Sequence, residues 1–224
     1  MKRATIIIGV AAALLLALAI TGRFTNLDDV ILSWAAPRMR APSAKSDAER
    51  RVLEVLNEMR ANGGTYLSVS EEKGRVLRVL TEAAGARHVV EIGTSTGYSG
   101  LWFCLALQTT GGHLTTFEID PGRAARARSN FKSAGVDKLA RVIEGDAHDK
   151  LAEVNEPVDV AFIDAEKNGY PNYLKQLLPR VRLGGLILAD NLNMSPEYRE
   201  TVTTDPALET VVWGYDLGIT LKKR

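Results

Sequence analysis

The sequence predicts an α/β fold, doubly wound around a mostly parallel seven-stranded sheet, and three observations predict it. Short apolar runs alternate with segments of helical period, and such alternation makes right-handed crossovers and a sheet covered on both faces. Each of the first five apolar runs ends in an acid or amide. The last two runs are separated only by "DLG", too short for a helix, so they should pair as an antiparallel C-terminal hairpin.

The elements follow in order. "DAERRVLEVLNEMRAN" places Val52, Leu53, Val55, Leu56 and Met59 at helical spacing, and "EEKGRVLRVLTEAAG" repeats the pattern up to a glycine stop. The period then changes. "HVVEIG" is a short apolar run before the helical "YSGLWFCLALQTT"; "HLTTFEID" precedes the helical "GRAARARSNFKSAG". "ARVIEGD" leads to a short helix near Lys150, "VDVAFIDA" to the helix "YPNYLKQLLPRV", and "GGLILADN" is the fifth run. "ETVVWGY" and "GITLKK" close the chain. The strand ends carry Glu91, Glu118 with Asp120, Asp146, Asp164, and Asp190 with Asn191. Open α/β sheets bind ligands at the carboxyl ends of their strands, so these polar ends should converge on one rim.

The composition is globular: 46% hydrophobic and 25% charged, with a formal net charge of +1, which argues against a nucleic-acid binder. The single cysteine, Cys104, excludes an internal disulfide and a multi-cysteine zinc site; within "LWFCLAL" it reads as a small buried hydrophobe.

The N-terminus departs from this pattern. After Lys2 and Arg3 no charge occurs from Ala4 to Gly22, enough for a helix of roughly 28 Å, about the thickness of a bilayer core. Residues 1–23 read as a hydrophobic helix that is a signal-anchor or a signal peptide with Ala17-Leu18-Ala19 as a small-x-small site. A buried helix of a soluble domain is the third reading, but it would need cover on all sides. Residues 24–45, with "APRMRAPSAK", read as a linker, and the globular domain spans 46–224. The expectation is membrane association through the N-terminal segment, with export after cleavage as the alternative. Lys2 and Arg3 before the run are matched by Arg23, Arg38, Arg40 and Lys45 after it, so charge leaves the side open.

The first strand breaks into Gly93-x-x-x-Gly97-x-x-Gly100, which is neither the G-x-G-x-x-G of dinucleotide folds nor a Walker A loop. Glu118, 25 residues past Gly93, is placed for ribose hydroxyls, a feature shared by NAD and S-adenosylmethionine. Glu91, before the first glycine, would repel a pyrophosphate and suits a cationic sulfonium and an amino group.

"VVEIGTSTGYSGL", "TTFEID", "FIDAEKNGYPNYL" and "LILADN" together resemble the cation-dependent catechol and caffeoyl-CoA O-methyltransferase family, in that family's order and spacing. The resemblance runs from about Tyr66 to Lys223 and includes "YLSVSEEKGRVL" as the lead-in to the first strand. It implies a Rossmann-like, S-adenosylmethionine-dependent O-methyltransferase acting on a hydroxyl of a small, aromatic, vicinal-diol-like acceptor. By the resemblance, Leu67 and Val69 flank the cofactor, and Glu91, Gly93, Tyr98 and Ser99 line its methionine end. Glu118 holds the ribose, and Asp146, Ala147 and His148 border the adenine. Asp164, which also borders the cofactor, joins Asp190 and Asn191 as the metal triad, and Lys167 is the catalytic lysine beside Asp164. Two carboxylates and an amide oxygen are a hard donor set, appropriate to Mg²⁺ or a similar divalent cation. A metal holding two vicinal oxygens would lower the pKa of one, and Lys167 would stabilise the oxyanion or accept its proton.

Plainer readings stand beside these. Asp164 could cap a turn, Asp190-Asn191 could be a turn pair, and a loop lysine such as Lys167 is by default solvated. His88 and His113 read as structural or exposed. After "ADNLNM" the compact "SPEYRETVTTDPALET" departs from the family's longer segment and leaves the acceptor wall open. The competing functions are an NAD(P)-dependent reductase, which lacks its Tyr-x-x-x-Lys pair, and a non-catalytic membrane-tethered cofactor-binding module. A homodimer is left open.

Overall fold

The computed structural model describes residues 40–63 and 68–224. The expected hydrophobic segment at 1–23, most of the 24–45 linker, and Leu67 lie outside the described residues. Among the described residues no helix is long and apolar enough to cross a membrane. A compact unit runs from Ser43 to Arg224.

Two amphipathic helices open the unit. Helix α1 (Asp47–Ala61) starts at Ser46, whose hydroxyl accepts from the Glu49 amide at 3.1 Å, and α2 (Glu71–Ala83) starts the same way at Ser70, capping Lys73 at 3.2 Å. Strand and helix then alternate: β1 (His88–Ile92), α3 (Tyr98–Thr110), β2 (His113–Glu118), α4 (Pro121–Ser133), β3 (Ala140–Glu144), the four-residue α5 (Ala147–Lys150), β4 (Val158–Ile163), α6 (Tyr170–Leu177) and β5 (Val181–Ala189). Helix α7 (Pro196–Thr204) and the hairpin β6 (Leu208–Trp213) and β7 (Leu217–Lys222) complete it.

The seven strands lie in the order β3-β2-β1-β4-β5-β7-β6. The first five are parallel; β7 inserts antiparallel between β5 and its hairpin partner β6. This is the expected sheet with its C-terminal hairpin. The strand sequence reverses direction between β1 and β4, the switch point at which a crevice opens beyond the carboxyl ends.

The period of two along the inner strands explains how both faces are covered. Val89, Val160 and Phe162 point into the core under α1 to α4, whereas Val90, Ala161 and Ile163 point into the core under α6 and α7. Helix α3 is buried at every position from Tyr98 to Leu107, because the sheet covers one side and α1 and α2 the other. Cys104 lies in it, fully buried and unpaired, and burial pushes its thiol up.

Two elements differ from the sequence expectation. β5 begins at Val181 rather than Gly184, because Val181 pairs with Val158 and the register then shifts to Leu186 with Val160 across Gly184, at φ +77°. Helix α7 was not anticipated; Pro196 at its first turn is the start signal that "SPEYRETV" carries.

Candidate active site

A cleft of about 910 Å³ opens at the β1/β4 switch point. Its glycine turn is dictated by space. Gly93 has φ +98°, and a Cβ there would collide with the Asp164 carbonyl, so this position brings the ends of β1 and β4 into contact. Ser95 and Asn191, the non-glycine residues with positive φ among those described, both line the same cleft. Backbone held in that region by its surroundings is concentrated at functional sites.

Of the residues expected at the site, Val69, Gly93, Glu118, Asp146, Ala147, Asp164, Lys167, Asp190 and Asn191 line the cleft. Glu91, Tyr98 and Ser99 are buried and do not line it. Glu91 is fully buried, accepting from Ser99 Oγ at 2.5 Å and Thr116 Oγ1 at 2.6 Å, and burial pushes its carboxyl up to about 7 against those two bonds. Tyr98 packs edge-on against Trp102. His148 sits beside the cleft, its ring on Tyr173 and its Nε2 3.5 Å from Glu166 Oε1. Asp146 caps α5, accepting from the His148 amide at 2.8 Å.

The β2 wall is built from backbone donors. Glu118 Oε2 accepts from the Ser95 amide at 2.7 Å and Oε1 from the Asp120 amide at 3.0 Å. Arg123, at the start of α4, brings Nε within 3.0 Å of Oε1, yet this buried N–H lacks a hydrogen-bond acceptor; the contact is charge attraction without a directed bond. An ionised carboxylate offers about four lone-pair sites, so Glu118 retains capacity for a ligand hydroxyl. Ile119, 62% exposed, adds an apolar surface to the same cleft.

The β4–β5 wall is built from charge. Lys167 Nζ donates to Asp164 Oδ1 at 3.2 Å and to Tyr170 Oη at 2.6 Å, and that hydroxyl donates to the Asp190 carbonyl at 2.9 Å. Burial, then the neighbouring Asp190 charge, push Asp164 up to about 6, with Lys167 opposing. Lys73 of α2 is paired with Asp190 and lies 2.7 Å from Asp216 Oδ1. Burial lowers the Lys73 pKa, and its bonds to these carboxylates outweigh that and hold it above its usual range. Asp216 Oδ2 accepts from Asn191 Nδ2 at 2.9 Å, which commits the amide nitrogen and leaves Asn191 Oδ1 as the atom available to a cation.

Lys73, Asp216, Tyr170, Arg123 and Ile119 are site residues that sequence reasoning missed. For Ile119 the signal was a large apolar residue directly after a strand-end acid; for Asp216 it was an acid in a hairpin loop.

At the opposite rim His88, His113 and Glu156 form the metal-sized cluster found among the described residues. The two imidazoles are stacked, 4.4 Å between centroids and 21° between planes, so their in-plane lone pairs converge poorly on one ion. His88 is also engaged at both nitrogens, by the Pro157 carbonyl and Thr115 Oγ1.

Sheet order, switch-point cleft and acid-lined rim define the α/β class that binds nucleoside cofactors. Comparison with known proteins narrows the class. The O-methyltransferase family profile matches residues 43–224. A catechol O-methyltransferase from Niastella koreensis is 35% identical over 162 residues, 70% of this chain and 73% of that relative. A caffeoyl-CoA O-methyltransferase from Populus kitakamiensis is 35% identical over 130 residues, 56% of this chain and 55% of its own length. The solved O-methyltransferase from Bacillus cereus in complex with SAH superposes with a TM-score of 0.69 at 27% identity, covering 85% of this chain and 96% of that one. The chain belongs to the O-methyltransferase family, in its S-adenosylmethionine-dependent catechol and caffeoyl-CoA branch.

Proposed function

We propose that the protein moves a methyl group from S-adenosylmethionine to a hydroxyl of a small vicinal-diol-like acceptor, with a divalent cation on the β4–β5 wall. The observation that carries this reading is the single cleft uniting Glu118 on one wall with Asp164, Lys167, Asp190 and Asn191 on the other.

The residues fit both groups. For the cofactor, Glu118 keeps acceptor capacity, the buried Arg123 Nε–H lacks an acceptor that a ribose oxygen would provide, and Ile119, Val69 and Ala147 give apolar surface for a base. When bound, S-adenosylmethionine supplies a methyl carbon activated by its sulfonium. For the cation, two carboxylates in mutual repulsion and one amide oxygen form an oxygen-only set suited to Mg²⁺. Asp164, Asp190 and Asn191 would hold it, and it would supply Lewis acidity to the acceptor oxygens. Lys167 does the remaining work. Fixed between Asp164 and Tyr170, its ammonium would stabilise the negative charge left on the acceptor oxygen once the hydroxyl proton has passed to solvent.

The test is incubation of the purified protein with labelled S-adenosylmethionine and a panel of vicinal diols, with and without chelator. Label in a diol product that disappears in chelator and returns with Mg²⁺ is the expected result. Label transfer unchanged by chelator would remove the cation from this reading. For Ala4–Gly22 we keep the reading from hydropathy, attachment to a membrane; fractionation with protease protection tests it, and a soluble product beginning near Ile20 would instead establish cleavage.

A further inference from the structure

Lys73 reaches the cation wall through helix packing. Its neighbour Gly74 lies against the Trp102 indole of α3, where a Cβ would collide with the ring, so α2 lies close to α3 only because this position lacks a side chain. From there the ammonium extends to Asp190 and Asp216, and only 17% of the lysine side chain stays exposed. Asp190 is more deeply buried still, at 8%. A solvated lysine on a helix face does neither of these things.

The pairing has a consequence for charge. Asp164, Asp190 and Asp216 are met by Lys73 and Lys167, so the wall carries one net negative charge where three carboxylates alone would carry three. Asp190 is at once a candidate ligand for the divalent ion and the partner of Lys73. An ion approaching it meets a resident cation at close range, with little solvent between to screen the repulsion. Asp216 offers the ammonium a second partner, and it also holds the Asn191 amide.

We propose that Lys73 is the resident counter-cation of this wall and competes with the divalent ion for Asp190, giving it up and keeping Asp216 when the ion enters. This rests on the metal site of the proposed function. Lys73 is here a positioning residue: it acts through Asp190 and sets how tightly, and at what ambient concentration, the ion is held.

The test reads ion binding without turnover. Full-length wild type, Lys73→Met, Lys73→Gln and Lys73→Arg are titrated with Mn²⁺, the free ion followed by its paramagnetic resonance signal, and with Mg²⁺ by calorimetry. The expected result is that Lys73→Met and Lys73→Gln bind Mn²⁺ at least tenfold more tightly than wild type, while Lys73→Arg, which keeps the charge, stays near wild type. The glutamine variant retains a hydrogen-bonding head for the two carboxylates and guards against loss of fold. Equal or weaker binding by both neutral variants, with wild type still binding, would overturn the competition and leave the metal reading intact. Absence of binding by every protein would overturn both.

Discussion

The two walls of the cleft solve one electrostatic problem in opposite ways. Around β1 and β2, carboxylates are satisfied mainly by neutral donors: the Ser95 and Asp120 amides on Glu118, and the Ser99 and Thr116 hydroxyls on Glu91. Around β4 and β5, ammonium groups perform that task, Lys167 on Asp164 and Lys73 on Asp190 and Asp216. Neutral donors orient a carboxylate and leave its charge for a polar ligand. Ammonium groups cancel the charge and must be rearranged before another cation is held. On the proposed function, the first wall would receive hydroxyls and the second would exchange one cation for another.

The largest effect should come from the charged wall. Asp190→Ala removes a candidate ion ligand and leaves Lys73 with Asp216 alone. Loss of an outer partner to a metal ligand already costs about 10–100-fold, so loss of the ligand itself should cost at least about 100-fold in methyl transfer. Initial rates at saturating Mg²⁺, with circular dichroism confirming the fold, check it. Undiminished activity would mean that the two walls do not differ in kind.

On the neutral wall the expected loss is smaller and appears in cofactor affinity. Glu118→Ala deletes a charge-assisted acceptor, worth about 1.5–3 kcal/mol, so S-adenosylmethionine should bind roughly tenfold to a hundredfold more weakly by calorimetry. Divalent-ion affinity should be unchanged.

Glu91 separates the walls by pH. Its carboxyl is raised from 4.5 to about 7 in the folded state, by burial first and despite its two hydroxyl donors. The folded chain therefore keeps a proton that the unfolded chain has lost, so the contribution to stability is fully present below pH 4.5 and disappears as pH rises through about 7. Glu91→Gln should abolish this decline and be more stable than wild type above neutrality, by about 1–3 kcal/mol in urea unfolding. A pH profile identical to wild type would mean that Glu91 is not the group responsible.

The difference between the walls also explains what could be read in the sequence. The sheet, its hairpin and the ring of strand-end acids follow from short apolar runs that alternate with helical segments and stop at polar residues, a local pattern. The glycine turn was legible as well, since Gly93 is required by the close passage of Asp164. What pairs with the acids was not. Lys73 stands in "EEKG", the composition of a solvated helix face, and meets Asp190 across 117 residues of chain only because Gly74 seats against Trp102. Asp216 reaches Asn191 because β7 inserts beside β5, a matter of strand order and not of hairpin formation. Glu91 was expected to face ligand, and its carboxylate is instead enclosed by Ser99 and Thr116, hydroxyls distant in sequence from one another.

The smallest effect concerns Arg123, the one cation named on the neutral wall. Its side chain as a whole is 39% exposed, so most of the guanidinium keeps its contact with water in the folded chain, and only the Nε edge is buried beside Glu118. The N–H that approaches Glu118 is not directed at it, and the two backbone amides continue to hold the carboxylate without the arginine. Arg123→Gln should therefore shift the unfolding midpoint only slightly and change S-adenosylmethionine affinity by less than about tenfold. The contrast with Lys73 gives the result its meaning. Neutralising Lys73 should transform divalent-ion binding while hardly touching the cofactor; neutralising Arg123 should alter the cofactor modestly and leave the ion alone. Calorimetric titration of both variants with both ligands measures all four quantities. If Arg123→Gln altered ion affinity as much as Lys73→Met, the walls would share one electrostatic field, and the division between neutral and charged donors would lose its functional content.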